Sequence, residues 1–414
     1  MTRSEEAALI GWSAVAEPAD EAAGALVAAL GAANALDWVR DGATDLAGAV
    51  STLAGRCARE VAEAAVRGHE RWERRLPSAD DPHARRAALV GAHVVTRCDP
   101  RWPSALASLG AAEPFALYVR GDGDLDSAWK GGVALVGARA STAYGAHVAA
   151  EVASGVAAAG RAILSGGAYG IDAAAHRAAV AVGGVTIAVM AGGVDRLYPA
   201  GNDDLLRAVI NCGAVVSEVP PGFAPHRSRF LTRNRLIAAS AATVVVEAAF
   251  RSGALNTARH ATDLLRPVGA VPGPATSPSS AGCHALIRDG AAVLVAGADH
   301  VLELVESAAQ WAERDEDSSG GGSQDGGGSR GRSEGLDGAG SAALRLDFEL
   351  PGDRAVFDVT SRRGLATEDI ARRAGLAWKD AAASTARLEM RGLIERSGHV
   401  WKRSHVDVKS RKTS

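Results

Sequence analysis

No glycine in this sequence is followed by lysine, so the glycine–lysine–hydroxyl core of a P-loop is missing. A dinucleotide fingerprint is missing too. It needs three glycines in G-x-G-x-x-G and an acid closing the next strand, whereas here the first turn has the single Gly137 and the second apolar run ends in Ser165-Gly166. Neither ATP nor NAD is therefore the expected ligand, and no cofactor is expected. Four cysteines (Cys57, Cys98, Cys212, Cys283) lie far apart, with no CxxC and no metal-ligand spacing. They read as isolated thiols in a reducing compartment, and no metal site follows from them. No apolar run approaches the roughly 20 residues of a membrane span. The N-terminus carries Glu5 and Glu6 rather than a basic head before an apolar core, so no signal peptide is expected and the cytoplasm is the expected location. A net charge of −3 over 414 residues gives no global attraction for nucleic acid, and any such partner must be held by a local patch.

What is present is organised around residues 133–176. The apolar run Val133-Ala134-Leu135-Val136 breaks at Gly137-Ala138-Arg139-Ala140-Ser141-Thr142, and a helical period follows from Tyr144 to about Ala159. A second run, Ala162-Ile163-Leu164, breaks at Ser165-Gly166-Gly167 before another helix from Ile171. Short apolar runs alternating with helices read as βαβ units on a parallel sheet. Ligands of such sheets bind where strand carboxyl ends meet helix N-termini, because unpaired amides and the helix dipole favour an anion there. Further cycles carry strands over 186–190, 214–217, 243–246, 267–271 and 292–295, and Ser252-Gly253 opens a helix reaching Leu265. The fold expected is α/β: an extended Rossmann-like parallel sheet over 95–311, entered through Pro114 to Gly121. An Ala-rich helical module over 1–85 precedes it, with Leu26, Leu30, Leu36 and Val39 around Gly31. A DNA-binding helix–hairpin–helix and a plain helical packing unit are both open for that module. A Gly/Ser-rich tether over 315–342 should span roughly 30 Å for its ~28 residues. After it, helices at 353–361, 367–374 and 378–391 and a ribbon turning at Ser397-Gly398-His399 read as a winged helix over 345–405.

The strongest chemical signal is Arg227-Ser228-Arg229-Phe230-Leu231-Thr232-Arg233-Asn234-Arg235, four arginines with no acid among them. Arg229 and Arg233 share a helical face. A solvated basic face is the plain alternative. The run falls on a crossover between two parallel strands, however, which can bring it to the same rim as Arg139, Ser141, Thr142, Ser165, Gly166, Ser252 and Gly253. Arginine forks match phosphate oxygens in pairs, and several arginines suit several phosphates, hence a polynucleotide. Tyr144, Tyr169 and Phe230 could stack on bases or pack in the core. Asp172 and His176, four apart on one helix, suit a structural hydrogen-bonded pair better than a metal site lacking a third ligand. The helix after Trp378 mixes Lys379, Arg387 and Arg391 with Asp380 and Glu389, which fits a protein-docking module as well as a DNA reader.

Several short motifs occur together and in order. They are Val136-Gly137-Ala138-Arg139 with Thr142 and Tyr144-Gly145, Ser165-Gly166 with Gly170-Ile171-Asp172 and His176, and Tyr198-Pro199. They continue with Arg233-Asn234-Arg235-Leu236-Ile237, Glu247 with Ser252-Gly253, Thr257-Ala258, and Val271-Pro272-Gly273. Over about 95–305 the set resembles the DNA-processing protein A (DprA, or Smf) family. Asp99-Pro100 with Trp102-Pro103 resembles that family's entry to its extended Rossmann domain, and a terminal winged helix is common in it. The resemblance implies a non-enzymatic protein that binds single-stranded DNA in a basic pocket, forms a homodimer through the Rossmann-like domain and helps load RecA recombinase, best known in natural transformation. Carried onto this chain, the pocket includes Arg139 and the segment from Arg233 to Arg235. Many members have Leu-Ala-Arg after the second turn's Ser-Gly, where this chain has Gly167-Ala168-Tyr169. The pocket thus has one positive charge fewer, with Tyr169 placed to stack. The rival reading is a nucleoside-monophosphate phosphoribohydrolase of the lysine-decarboxylase-like group. Its Pro-Gly-Gly-x-Gly-Thr-x-x-Glu signature would fall on Phe250 to Thr257, where no glutamate follows on that helix. If the arginines face solvent, replacing Arg139 or Arg233 should weaken DNA binding and leave thermal stability unchanged.

Overall fold

The computed structural model describes residues 4–41, 53 and 57–307. Toward the C-terminus it describes 353, 356–357, 359–360, 364–374, 376, 378–390, 393–397 and 400–403. The chain divides into two compact units, residues 1–323 and 324–414. The expected tether over 315–342 lies outside the described residues, as do Ser361, Gly375, Arg391, Gly398 and His399.

The first unit is built on a nine-stranded sheet in the order β1-β2-β6-β5-β4-β3-β7-β8-β9. Its strands are β1 (His93–Thr96), β2 (Ala116–Gly121), β3 (Val133–Val136), β4 (Ile163–Ser165), β5 (Thr186–Met190), β6 (Ala214–Ser217), β7 (Ala242–Val245), β8 (Val268–Ala270) and β9 (Val293–Leu294). From β6 to β9 every pairing is parallel, whereas β2 runs antiparallel to both β1 and β6. The chain is mixed α/β as expected, and β1, which carries no long apolar run, is an addition to that reading. The central strands are apolar throughout because both faces are covered. Val133 and Leu135 of β3 pack with Val148, Val152 and Val156 of the helix Ala143–Ala158, while Ala134 and Val136 join Trp129 and Leu236 on the other face. Each fully buried Val or Leu contributes about 1.5–3 kcal/mol.

β3 is the point where the strand order reverses, since β4 lies on one side of it and β7 on the other. The loops leaving β3 and β7 therefore part, and a crevice opens at their carboxyl ends. The helix Arg227–Ala238 lies on the crossover from β6 to β7. Trp129 anchors its far end by donating from Nε1 to the carbonyl of Leu236 at 2.7 Å.

The N-terminal helices Glu5–Val15, Glu21–Leu30, Ala32–Asp41 and Arg59–Glu73 share their own core, with Trp12 and Trp72 edge to face at 5.5 Å and Leu26, Leu36 and Val39 buried. This layer joins the sheet: Trp12 packs near Phe115 at 5.7 Å, and Ser13 Oγ lies 2.9 Å from the Tyr118 hydroxyl. At the hairpin, Gly31 takes φ +81° and the amide of Ala33 donates to Glu5 Oε2 at 3.2 Å, with Ala32 on the other carboxylate oxygen. The anion at that helix start is thus the chain's own glutamate.

In the second unit, Thr367–Ala374 and Trp378–Met390 pack around Ile370, Ala371, Ala381 and Leu388, and β10 (Ile394–Ser397) pairs antiparallel with β11 (Val400–Arg403). Arg387 grips Asp353 through Nε and Nη2, the latter at 2.6 Å, so this basic residue of the helix is tied down.

Candidate nucleic-acid interface

The crevice is a cleft of about 290 Å³ whose lining includes Gly137 and Arg139 after β3, Asp172, Phe230 and Arg233, and Ser252 and Gly253. Four segments meet there, and each is positioned by a specific contact. After β3, Thr142 caps the next helix by accepting from the Gly145 amide at 3.1 Å. Thr142 is held in turn by Glu247, buried at the end of β7. Its carboxylate accepts from the Thr142 amide at 2.9 Å and from Oγ1 at 2.6 Å. A side chain on Gly145 would stand 2.2 Å from that carboxylate, which is why glycine occupies the position.

The turn after β4 is closed from inside. Asp172, at the start of the helix Ile171–Ala181, accepts from the amides of Gly166 at 3.1 Å and Ala168 at 3.3 Å. Ser165 donates to the Leu135 carbonyl at 2.6 Å. Ser165 and Gly166 are buried and absent from the cleft lining, so their expected place on an open rim is corrected: β3 takes the Ser165 hydroxyl and the following helix takes the Gly166 amide. Asp172 and His176 do not pair with each other either. His176 bonds through Nδ1 to Thr186 Oγ1 at 2.7 Å, and that hydroxyl gives its one proton to the Ile163 carbonyl. The network therefore assigns the proton to Nδ1 and leaves Nε2 with a free lone pair. Burial, reinforced by Arg233, pushes the imidazole pKa down to about 3, so the ring is neutral. Among the described residues no cluster of His, Cys, Asp or Glu could hold a metal ion.

The arginine run is not a free basic face. Arg229 makes two bonds to Glu17, at 3.0 and 2.9 Å. Arg235 makes two to Glu218, at 2.8 and 2.6 Å, both side chains being buried. Arg233 donates to the carbonyls of Gly166, at 3.0 Å, and Val189, beside Asp172. The sequence holds no acid within the run, and the tertiary structure brings three carboxylates to it from elsewhere. Burial lowers the Arg233 pKa to about 10, against the attraction of Asp172, so it stays charged at neutral pH. Burial raises the Asp172 carboxyl, with Arg233 opposing. Arg233 keeps one buried donor, Nε, without a partner. Arg139 is exposed, with its guanidinium 5.2 Å from the Phe230 ring, and Arg227 is exposed with no partner among the described residues.

Asn234 reaches the Gly253 carbonyl at 3.4 Å and Asn256 Oδ1 at 3.3 Å, tying the arginine helix to the helix Gly253–Asp263. Ser252 caps that helix by accepting from the Ala254 amide at 3.2 Å, and Gly253 is exposed. Ser141 is half-buried, Thr142 exposed, and Tyr169 is 48 % exposed with its hydroxyl accepting from the Gly201 amide at 3.2 Å. None of these three lines the cleft. The structure thus brings together Arg139, Arg233, Asn234, Ser252 and Gly253. It also adds two groups that lie within the sequence motifs but carry no site assignment from them: Leu231, and Tyr198, 45 % exposed with its ring 5.8 Å from Phe230. The half-buried ring of Phe230, the exposed ring of Tyr198, the exposed guanidinium and the helix start at Gly253 suit a base and its phosphate.

Comparison with known proteins agrees with this architecture. A family model described as DNA recombination-mediator protein A matches residues 93–306. The chain is 40 % identical over 402 residues to a putative DNA processing protein DprA of Mycobacterium tuberculosis (strain ATCC 25618 / H37Rv), covering 94 % of this chain and 92 % of that one. To the DNA processing protein DprA of Streptococcus pneumoniae (strain ATCC BAA-255 / R6) it is 41 % identical over 192 residues, 46 % of this chain and 67 % of that one. The X-ray structure of DprA from Streptococcus pneumoniae matches with a TM-score of 0.53 at 32 % identity, covering 65 % of this chain and 96 % of that chain. The chain belongs to the DNA recombination-mediator protein A family.

Proposed function

We propose that this protein binds single-stranded DNA in the cleft at the β3–β7 switch point, with a phosphate held by Arg139, Arg233 and the start of the helix Gly253–Asp263. The observation that carries this reading is Arg233 itself: a buried, charged guanidinium with an unpartnered Nε on a cleft whose lip holds Arg139 over Phe230. A single-stranded ligand fits better than a duplex, because stacking on Phe230 and Tyr198 needs an unpaired base. The test is a salt-titrated binding assay with matched oligonucleotides. Log affinity for the single strand should fall with log salt by roughly 0.7 per phosphate neutralised. Equal or tighter binding to duplex at matched salt would refute the reading.

Membership of the family supports the finer role: protection of single strands and help in loading RecA recombinase, in transformation or recombination, as a homodimer in the cytoplasm. Among the described residues no single helix is long and apolar enough to cross a membrane. The edge strand β9 leaves Val293 and Leu294 exposed, which suits a second copy at that edge. In the second unit, two helices followed by a ribbon support a winged-helix reading over 345–405.

The role is binding rather than catalysis. The carboxylate lining the cleft, Asp172, is bonded to two backbone amides, and the helix after Ser252-Gly253 carries no glutamate. Incubation with AMP should release no ribose 5-phosphate above a no-protein control.

A further inference from the structure

Outside the cleft, a second basic cluster forms where the N-terminal helices meet the arginine helix. Glu17 is its single carboxylate, and it faces three basic groups: Arg229, Arg75 and, at 3.9 Å, His226. Both guanidiniums also lie over the ring of Phe223, Arg229 at 5.3 Å and Arg75 at 5.9 Å. Arg227 follows His226 at the start of the same helix, exposed and unpartnered among the described residues. The nearby acids are engaged elsewhere. Asp20 holds Arg71, Asp81 holds Arg86, and Asp195 accepts from the Gly222 amide. Two arginines and His226 therefore share one half-exposed carboxylate beside the unpartnered Arg227, and the cluster keeps an excess of positive charge.

We propose that Arg75, Arg227 and Arg229 form a second phosphate subsite for the same single strand, with the Glu17 carboxylate occupying the place a backbone phosphate takes. The inference rests on the cleft reading above. Continuity supports it. Arg227 and Phe230 are three residues apart on one helix and so share a face, and Phe230 lines the cleft. A strand leaving the cleft over Phe230 meets Arg227 and then the Arg75–Arg229 pair. Carboxylate and phosphate both match the arginine fork, and the phosphate brings the additional gain of counterion release. Arg75 belongs to the N-terminal layer, so the subsite gives that layer a direct part in holding DNA.

The test uses the full chain and two single-stranded oligonucleotides of about 4 and about 16 nucleotides, the range that one such site covers. Arg75→Ala should weaken the longer one roughly two- to fivefold, as loss of a partly exposed charge contact does. It should lower its salt slope by about 0.7 and leave the shorter one unchanged. Arg75→Lys should retain the slope. Glu17→Gln should tighten the longer oligonucleotide. The two variants break the same ion pair, so a purely structural latch would move both in the same direction, together with their melting temperatures. A shared direction, or no change in either, overturns the subsite. If Arg139→Ala fails to weaken the shorter oligonucleotide, the cleft reading itself fails, which is a separate result.

Discussion

Arg139 and Arg233 line one cleft under opposite conditions, and their variants should part accordingly. Arg139 is exposed, with its guanidinium 5.2 Å from the Phe230 ring. Arg139→Ala should leave the melting temperature nearly unchanged and weaken single-strand binding roughly ten- to hundredfold, the equivalent of a charge-assisted contact worth about 1.5–3 kcal/mol. Arg233→Ala strips partners from two carbonyls and leaves Asp172 buried without its counter-charge. Breaking a buried charge arrangement costs about 3–5 kcal/mol, so denaturant midpoints should fall along with binding. The equal stability expected of both variants from the sequence does not apply to Arg233. His176 makes a pH-dependent contribution. Its folded pKa of about 3 lies below the unfolded value of about 6.5, so between these the unfolded chain binds the extra proton and stability falls as pH is lowered. From pH 7 to pH 5 the loss should be about 2 kcal/mol. Urea unfolding at the two pH values should show a loss in the native protein that is smaller by this amount in His176→Gln, because the other histidines whose pKa burial lowers, His83, His93 and His260, contribute to both.

At the scale of elements, the cleft depends on how the turn after β3 is tied to the end of β7. Glu247 takes two bonds from Thr142 and lies in the space left by the missing side chain of Gly145. Gly145→Ala forces a methyl group against the carboxylate and should cost about 1–3 kcal/mol, the usual range for overpacking. Because the same turn carries Arg139, single-strand affinity should fall as well, although neither Gly145 nor Glu247 lines the cleft. A variant that melts lower but binds with unchanged affinity would show that the turn keeps its shape without this tie.

At the scale of the molecule, the cleft, its tethering carboxylates and the N-terminal layer all lie in the first compact unit. Removing everything after Trp311 should therefore leave most single-strand affinity intact, measured by the same salt titration. If truncation abolished binding while Arg139→Ala bound normally, the second unit would be the DNA-binding part.

The sequence alone determined the strands from β3 to β8, because strands buried on both faces are short apolar runs between turn residues, a local signal; β9 carries the same kind of run although its two residues are exposed at the sheet edge. It also marked Arg139, Arg233 and Ser252-Gly253, since turns after such strands are where ligands bind. Which arginines remain free was decided by tertiary structure. Glu17 lies 212 residues before Arg229, and nothing local announces that it returns to it. Glu218 is nearer, 17 residues from Arg235, but across a loop and a helix start. The same holds for Ser165 and Gly166. As a serine–glycine turn they read as open donors, and only the fold shows the Leu135 carbonyl and the Asp172 carboxylate already in place. Apolar periodicity is written along the chain, whereas charge neutralisation is a property of which distant side chains meet. That is why the fold was legible and the electrostatics of the cleft were not.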